Sequence, residues 1–291
     1  MPTTQTPLRY PGGKSQLIPL VKKLLKENEL LYGAYVEPFA GGCGIAMELL
    51  VHRMVYDVYI NDIDRGIYAF WHSVINRTDD LCELIEKTPV TIEEWHKQRE
   101  IAFSKSERHF LRIGFATLFL NRTNRSGIIK GGVIGGKNQD GNYLLDCRFN
   151  KEDLLNKVRR ISYFKDEIHL YRLDAVEFLK KVVPQTPTKT LINIDPPYYK
   201  RGKELYTSFY KHDDHQLLAK EIAKLDRHWM VTYDNAEEIR TLYQQHTTLT
   251  ADLNYSAQTK RRGTELMVFS DQLFLPADIQ VLIDKNRRKA A

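Results

Sequence analysis

Residues 190–199 read TLINIDPPYY, an apolar and β-branched run that stops at an aspartate, two prolines and two tyrosines. The run predicts a buried strand. At its end stand Asp195, Pro196, Pro197 and Tyr198, the residue types that suit methyl transfer to an exocyclic amine of a nucleobase. Such a nitrogen is a poor nucleophile because its lone pair is delocalised into the ring. Two acceptors on its two N–H bonds would draw it toward tetrahedral geometry and free the pair. Asp195 supplies one carboxylate oxygen. The Pro196 carbonyl supplies a second acceptor, its direction fixed by the ring and with no competing N–H. Tyr198 offers a flat face for a base taken out of its stack. This chemistry calls for no metal and no covalent nucleophile. A strand-ending aspartate before a rigid turn is the plainer reading, and it leaves these residue types without a chemical task.

Other strand ends must then hold a methyl donor, because ligands of open parallel sheets bind outside the carboxyl ends of the strands. EPFAGGCGIA (37–46) closes the first expected strand with glycines that let the backbone approach a ligand, just ahead of a helix N-terminus. A purely structural tight turn would use the same glycines, and Met47 stands where a dinucleotide fingerprint wants Gly or Ala. YINDID closes the second strand and sets Asp62 about twenty residues beyond the glycines, where a carboxylate can accept both ribose hydroxyls. Capping a helix is the alternative for Asp62. Asp174, at a third strand end, suits an adenine amino group. Together they outline a pocket for an adenosine-containing ligand.

RYPGGKSQL (9–17) contains GKS, but Leu8 stands where a phosphate loop needs its first glycine. Lys14 could instead pair with a carboxylate such as the methionine end of S-adenosylmethionine. Tyr10 could pack on the sulfonium or the adenosine.

Positioning these ends takes a βαβ opening (AYVEPF, IAMELLVHRM, DVYIND) and a later repeat of the rhythm (EIHLYRLD, AVEFLKKVV, TLINID). HWMVTYD, LTADLNYSA and TELMVFSD come next as strands, the last two antiparallel. Residues 70–160 break the alternation. They predict helices over Trp71–Glu86, Ile92–Phe103 and Glu107–Leu120, then a polar loop NRTNRSG and a glycine-rich segment with a turn at Asp140–Gly141. Residues 1–69 and 161–291 are expected to form one catalytic domain, with 70–160 inserted as a target-recognition region.

The chain has 291 residues, 42% of them hydrophobic, and no apolar run nears the roughly 18 residues of a membrane span. Three scattered cysteines match no zinc spacing or disulfide framework, and no secretory signal opens the sequence. A cytoplasmic protein is expected. The net charge of +6 is unevenly placed: Ser104–Lys137 carries seven Lys/Arg against one acid, Glu107. A solvated basic face or a polyanionic partner would explain it.

With these motifs in this order, the chain resembles the Dam-like, alpha-class DNA adenine N6-methyltransferases along nearly its whole length. PGGK resembles the family's N-terminal cofactor segment, with Tyr10 where tryptophan is common. EPFAGGCG is similar to its glycine motif, NDID to its ribose-binding turn and DPPY to its catalytic motif. FLNRTNRSGI resembles the start of a DNA-reading hairpin, although the continuation IIKGGVIGGKNQDGNY departs from that of GATC-methylating members.

The resemblance implies an α/β fold: a Rossmann-like class I methyltransferase sheet, mostly parallel, with an antiparallel C-terminal strand pair. The inserted recognition region would be mainly helical with a β-hairpin. S-adenosyl-L-methionine would be held by Tyr10, Lys14, Glu37, Pro38, Phe39, Ala40, Gly41, Gly42, Asp62, Ile63, Asp174 and Asp195. Double-stranded DNA would be held by Asn121, Arg122, Asn124, Arg125, Ser126, Lys130 and Lys137. Of these, Arg125 is expected to read a base, and Arg122, Lys130 and Lys137 to position the backbone. A companion restriction endonuclease is a further expected partner; no membrane and no metal are. A cytosine N4- or RNA-directed methyltransferase, a nicotinamide-dependent oxidoreductase and a non-catalytic DNA-binding protein are the rival readings.

Overall fold

The structure is a computed structural model and describes residues 4–9, 14–104, 109–200, 210–256 and 260–279; Tyr10, Lys105, Arg108 and the basic run 201–203 lie outside them. Seven strands form one sheet in the order β3-β2-β1-β4-β5-β7-β6. Five are parallel: β1 (Ala34–Glu37), β2 (Asp57–Asn61), β3 (Ile168–Tyr171), β4 (Thr190–Ile194) and β5 (His228–Asp234). β7 (Lys260–Phe269) runs antiparallel to both β5 and β6 (Thr247–Ser256). β4 is buried at every position, which is why TLINI reads as an unbroken apolar run rather than an alternation.

Successive residues of the central strands serve opposite faces: Tyr35 and Leu191 join one core, Val36 and Ile192 the other. The first core is covered by α1 (Ile18–Glu27), α2 (Gly44–Val51) and α3 (Arg65–Asn76), with Leu20, Met47, Phe70 and Trp71 inside. The helices α4 (Thr78–Lys87), α5 (Ile92–Phe103), α6 (Phe110–Thr123) and α7 (Lys151–Ser162) extend that same core through Ile85, Trp95, Phe119 and Val158. The second core lies under α8 (Ala175–Lys181), α9 (His212–Ile222) and α10 (Glu237–Leu242). Among the described residues no helix is long and apolar enough to cross a membrane.

Two sequence expectations are corrected. The helix expected over Trp71–Glu86 is two helices, because Arg77 leaves helical geometry at φ −138° and Thr78 Oγ1 donates back to the Val74 carbonyl. The hairpin expected after NRTNRSG is reduced to one antiparallel bridge, Asn124 to Val133, among the described residues. Side chains there take carbonyls that a ladder would need: Asn124 Nδ2 donates to Ile128 and Ile129, and Gln139 Nε2 to Ile134 and Gly136. The expected limits of the insert, 70 and 160, fall inside α3 and α7.

Candidate active site

β4 delivers Asp195 to its carboxyl end, and the neighbouring strands hold the residues just beyond it. Ile194 lies opposite Val231 of β5, so Thr232 comes level with Asp195 and its hydroxyl donates to Asp195 Oδ1 at 2.8 Å. Two residues on, Asp234 accepts the N–H groups of Tyr199 and Lys200 at 2.7 and 2.9 Å. Those bonds tether the chain just past the tetrapeptide. Register between β5 and β7 then sets Glu265 opposite Asp234. Glu265 Oε1 accepts from the Tyr198 hydroxyl and, at 2.9 Å, from Lys14 Nζ.

Lys14 completes the cluster. Its ammonium is 3.1 Å from Asp195 Oδ1, 2.9 Å from the Tyr198 hydroxyl and 4.8 Å from the centre of the Tyr198 ring. The sequence reading aimed Lys14 at the carboxylate of a cofactor; the structure sets it on two carboxylates of the protein. A buried ammonium requires such partners. Pro196, Pro197 and Tyr198 are buried, whereas the Asp195 side chain keeps 25% of its exposure. An open carboxylate thus stands on a closed base.

The cofactor side assembles at the ends of β1 and β2. Glu37 is buried, and its carboxyl is pushed up to about 8, first by burial and then by the charge of Asp195. Pro38, Phe39, Ala40, Gly41 and Gly42 then turn into α2. Gly41 sits at φ +46°, left-handed backbone that glycine adopts without a Cβ clash. Trp71 Nε1 donates to the Gly41 carbonyl at 3.0 Å.

Asp62 receives the Gly41 N–H on Oδ2 and the Asp64 N–H on Oδ1, each at 2.9 Å. Burial first, then Asp64, pushes its carboxyl up to about 7. The helix-cap alternative does not hold for it, since Asp64 caps α3 through Gly66 and Ile67. Ile63 beside it is exposed. Asp174, given the adenine amino group by the sequence reading, caps α8 through Oδ1. Phe39 meets Tyr210 edge to face at 5.8 Å. Burial, and then the charges of Asp174, Asp214 and Asp62, push the Tyr210 hydroxyl above the usual tyrosine range.

The expected DNA-binding residues divide into two groups. Arg125, Lys130 and Lys137 are exposed, and Ser126, at φ +58°, is half-buried between Arg125 and Gly127. Asn121, Arg122 and Asn124 are buried and occupied by the protein itself. Asn121 accepts the Arg9 N–H and donates to the Arg9 carbonyl, both at 2.7 Å, and donates to Gly127 at 2.9 Å. Arg122 Nε donates to the Pro7 carbonyl at 2.6 Å. Its guanidinium is pushed down to about 10 by burial and next by Arg9. Asn124 Oδ1 accepts from Trp95 Nε1 at 2.7 Å. A Cβ on Gly127, already at φ +75°, would lie 2.1 Å from the Arg9 carbonyl oxygen. Asn121, Arg122 and Gly127 thus clamp residues 7–9 onto the insert, and Asn124 ties the insert to itself, roles the sequence reading did not give them.

Sequence reasoning also passed over Thr232, Asp234, Glu265 and Tyr210. One signal was present for Glu265: a lone acid inside the apolar strand TELMVF.

A glycine turn locked to an acid after β2, with an open Asp-Pro-Pro-Tyr carboxylate after β4, defines an α/β group-transfer enzyme. The D12 class N6 adenine-specific DNA methyltransferase family matches residues 10–257, and the chain belongs to it. It is 26% identical over 241 residues to the type II methyltransferase M.MjaIII of Methanocaldococcus jannaschii, covering 76% of this chain and 80% of that one. A solved rRNA methyltransferase, aviRa of Streptomyces viridochromogenes, aligns over 88% of this chain and 86% of its own at 9% identity and a TM-score of 0.34.

Proposed function

We propose that the chain moves a methyl group from S-adenosylmethionine to N6 of an adenine turned out of double-stranded DNA onto Tyr198. The observation that carries this reading is the convergence of Asp195, Tyr198 and Lys14 on one point at the open end of the sheet. The residues suit the cofactor. Three acids, Glu37, Asp62 and Asp195, would surround a ligand bearing sulfonium and ammonium charges, and Phe39 and Tyr210, packed edge to face, would offer it an aromatic wall. When bound, S-adenosylmethionine supplies an electrophilic methyl on its sulfonium sulfur. Asp62 would accept the ribose hydroxyls while Gly41 and Asp64 hold it in place.

At the other side of the pocket, Asp195 accepts one N–H of the adenine amino group and the Pro196 carbonyl the other. That pair of acceptors turns the lone pair toward the methyl. After transfer the amino nitrogen carries a surplus proton, which Asp195 is placed to take. Thr232 and Lys14 keep Asp195 oriented throughout. The type II relative supports a protective role for this methylation, beside a companion restriction endonuclease.

Calorimetry tests the cofactor half. Asp62→Ala is expected to weaken S-adenosylmethionine binding by about tenfold or more, the effect of losing hydrogen bonds to a charged acceptor. Unchanged affinity would remove Asp62 from the cofactor site and leave it as a brace for the Gly41 turn.

A further inference from the structure

Glu265 belongs to none of the motifs that carry the reaction, yet two of the motif residues end on one of its oxygens. Its Oε1 accepts both the Tyr198 hydroxyl and Lys14 Nζ. The residue is 2% exposed and is followed by Leu266, Met267, Val268 and Phe269, all fully buried. An apolar side chain would suit that strand, and a buried carboxylate is costly. Its second oxygen, Oε2, is buried with no hydrogen-bond partner among the described residues, so packing does not account for the acid either. Burial raises its carboxyl, Lys14 opposes that shift, and Asp195 adds to it.

Resting on the reading of the site above, we propose that Glu265 is a positioning residue for methyl transfer: by drawing Lys14 and Tyr198 onto one oxygen, it leaves Asp195 open to the adenine amino group and fixes the ring on which the base lies. Without its charge, the ammonium 3.1 Å from Asp195 Oδ1 would lose the carboxylate that draws it away from Asp195. Lys14 would close on it and compete with the adenine for its oxygens. Without its acceptor oxygen, the Tyr198 hydroxyl would lose the anchor that sets the ring plane.

The test compares wild type with Glu265→Gln, Tyr198→Phe and the double variant. Gln keeps the shape of Glu but removes the charge that draws Lys14 and leaves the tyrosine a weaker, uncharged acceptor, so a merely space-filling role would survive it. For Glu265→Gln the expected result is an unchanged thermal midpoint, an unchanged KM for DNA and a kcat lower by about ten- to a hundredfold. In the double variant the loss should be smaller than the product of the two single losses, because the hydroxyl acts through Glu265. A fluorescent adenine analogue at the target position, read with no cofactor present, should report a less fixed base in Glu265→Gln. Wild-type kcat and fluorescence in that variant would overturn the proposal, as would a fall in kcat matched by a fall in thermal midpoint. A wild type that transfers no methyl would count against the parent reading, and the fluorescence comparison would then decide Glu265 by itself.

Discussion

Among single residues, Glu37 has the clearest consequence in solution. Its carboxyl holds a proton to about 8, because burial and the charge of Asp195 both oppose ionisation. An unfolded chain would release that proton in the usual carboxylate range. Below that range both states are protonated and Glu37 contributes its full stability. As pH rises toward 8 the unfolded state gains by ionising, and the contribution is lost. The thermal midpoint of the cofactor-free protein is therefore expected to fall between about pH 5 and pH 9, and to fall less in Glu37→Gln. Equal slopes for the two proteins would contradict the buried, protonated carboxyl. At this same scale the catalytic tetrapeptide was legible in the sequence, since each of its residue types has a chemical task. Its supports were not. Thr232, Asp234 and Glu265 become neighbours of Asp195 and Tyr198 only once the register of β4, β5 and β7 is known, and no local pattern carries that register.

Among elements, the parallel strands were readable because apolar runs ended in glycine, aspartate or proline. The insert was harder. Asn121 and Asn124, polar residues at the end of an apolar helix, read as DNA-facing, but Asn121 is taken up by the Arg9 backbone and Asn124 by the Trp95 indole. Whether a polar side chain meets solvent or a distant segment is a long-range fact. Glycines and side-chain amides likewise replaced the expected hairpin with turns. The exposed edge of the insert is left to Arg125, Lys130 and Lys137. An arginine that reads a guanine edge and a lysine that holds phosphate have different signatures. Arg125→Ala is expected to lose roughly 1–3 kcal/mol of discrimination at one base position. Lys137→Ala should weaken binding on all sequences and flatten its salt dependence. Competition binding against single-base variants of the target, at two salt concentrations, separates them. A uniform loss for Arg125→Ala would move it to the phosphate group and pass base reading to another residue of the insert.

At the scale of the whole molecule, insert and sheet share one apolar core, and Asn121 joins the insert to the Arg9 backbone. Insert and sheet are thus built as one continuous body. Its net charge of +6 suits a polyanionic substrate. The central claim is methylation of adenine N6 by an amine-activating carboxylate at Asp195. It is tested most directly by incubating unmethylated duplex DNA with S-adenosylmethionine carrying a labelled methyl group, then mapping the label base by base for wild type and Asp195→Ala. Label on adenine N6 at one recurring sequence is expected with wild type, and a rate lower by about a hundred- to a thousandfold with the variant, which should keep its thermal midpoint. Label on cytosine, no transfer to DNA, or an Asp195→Ala rate within about tenfold of wild type would contradict the account.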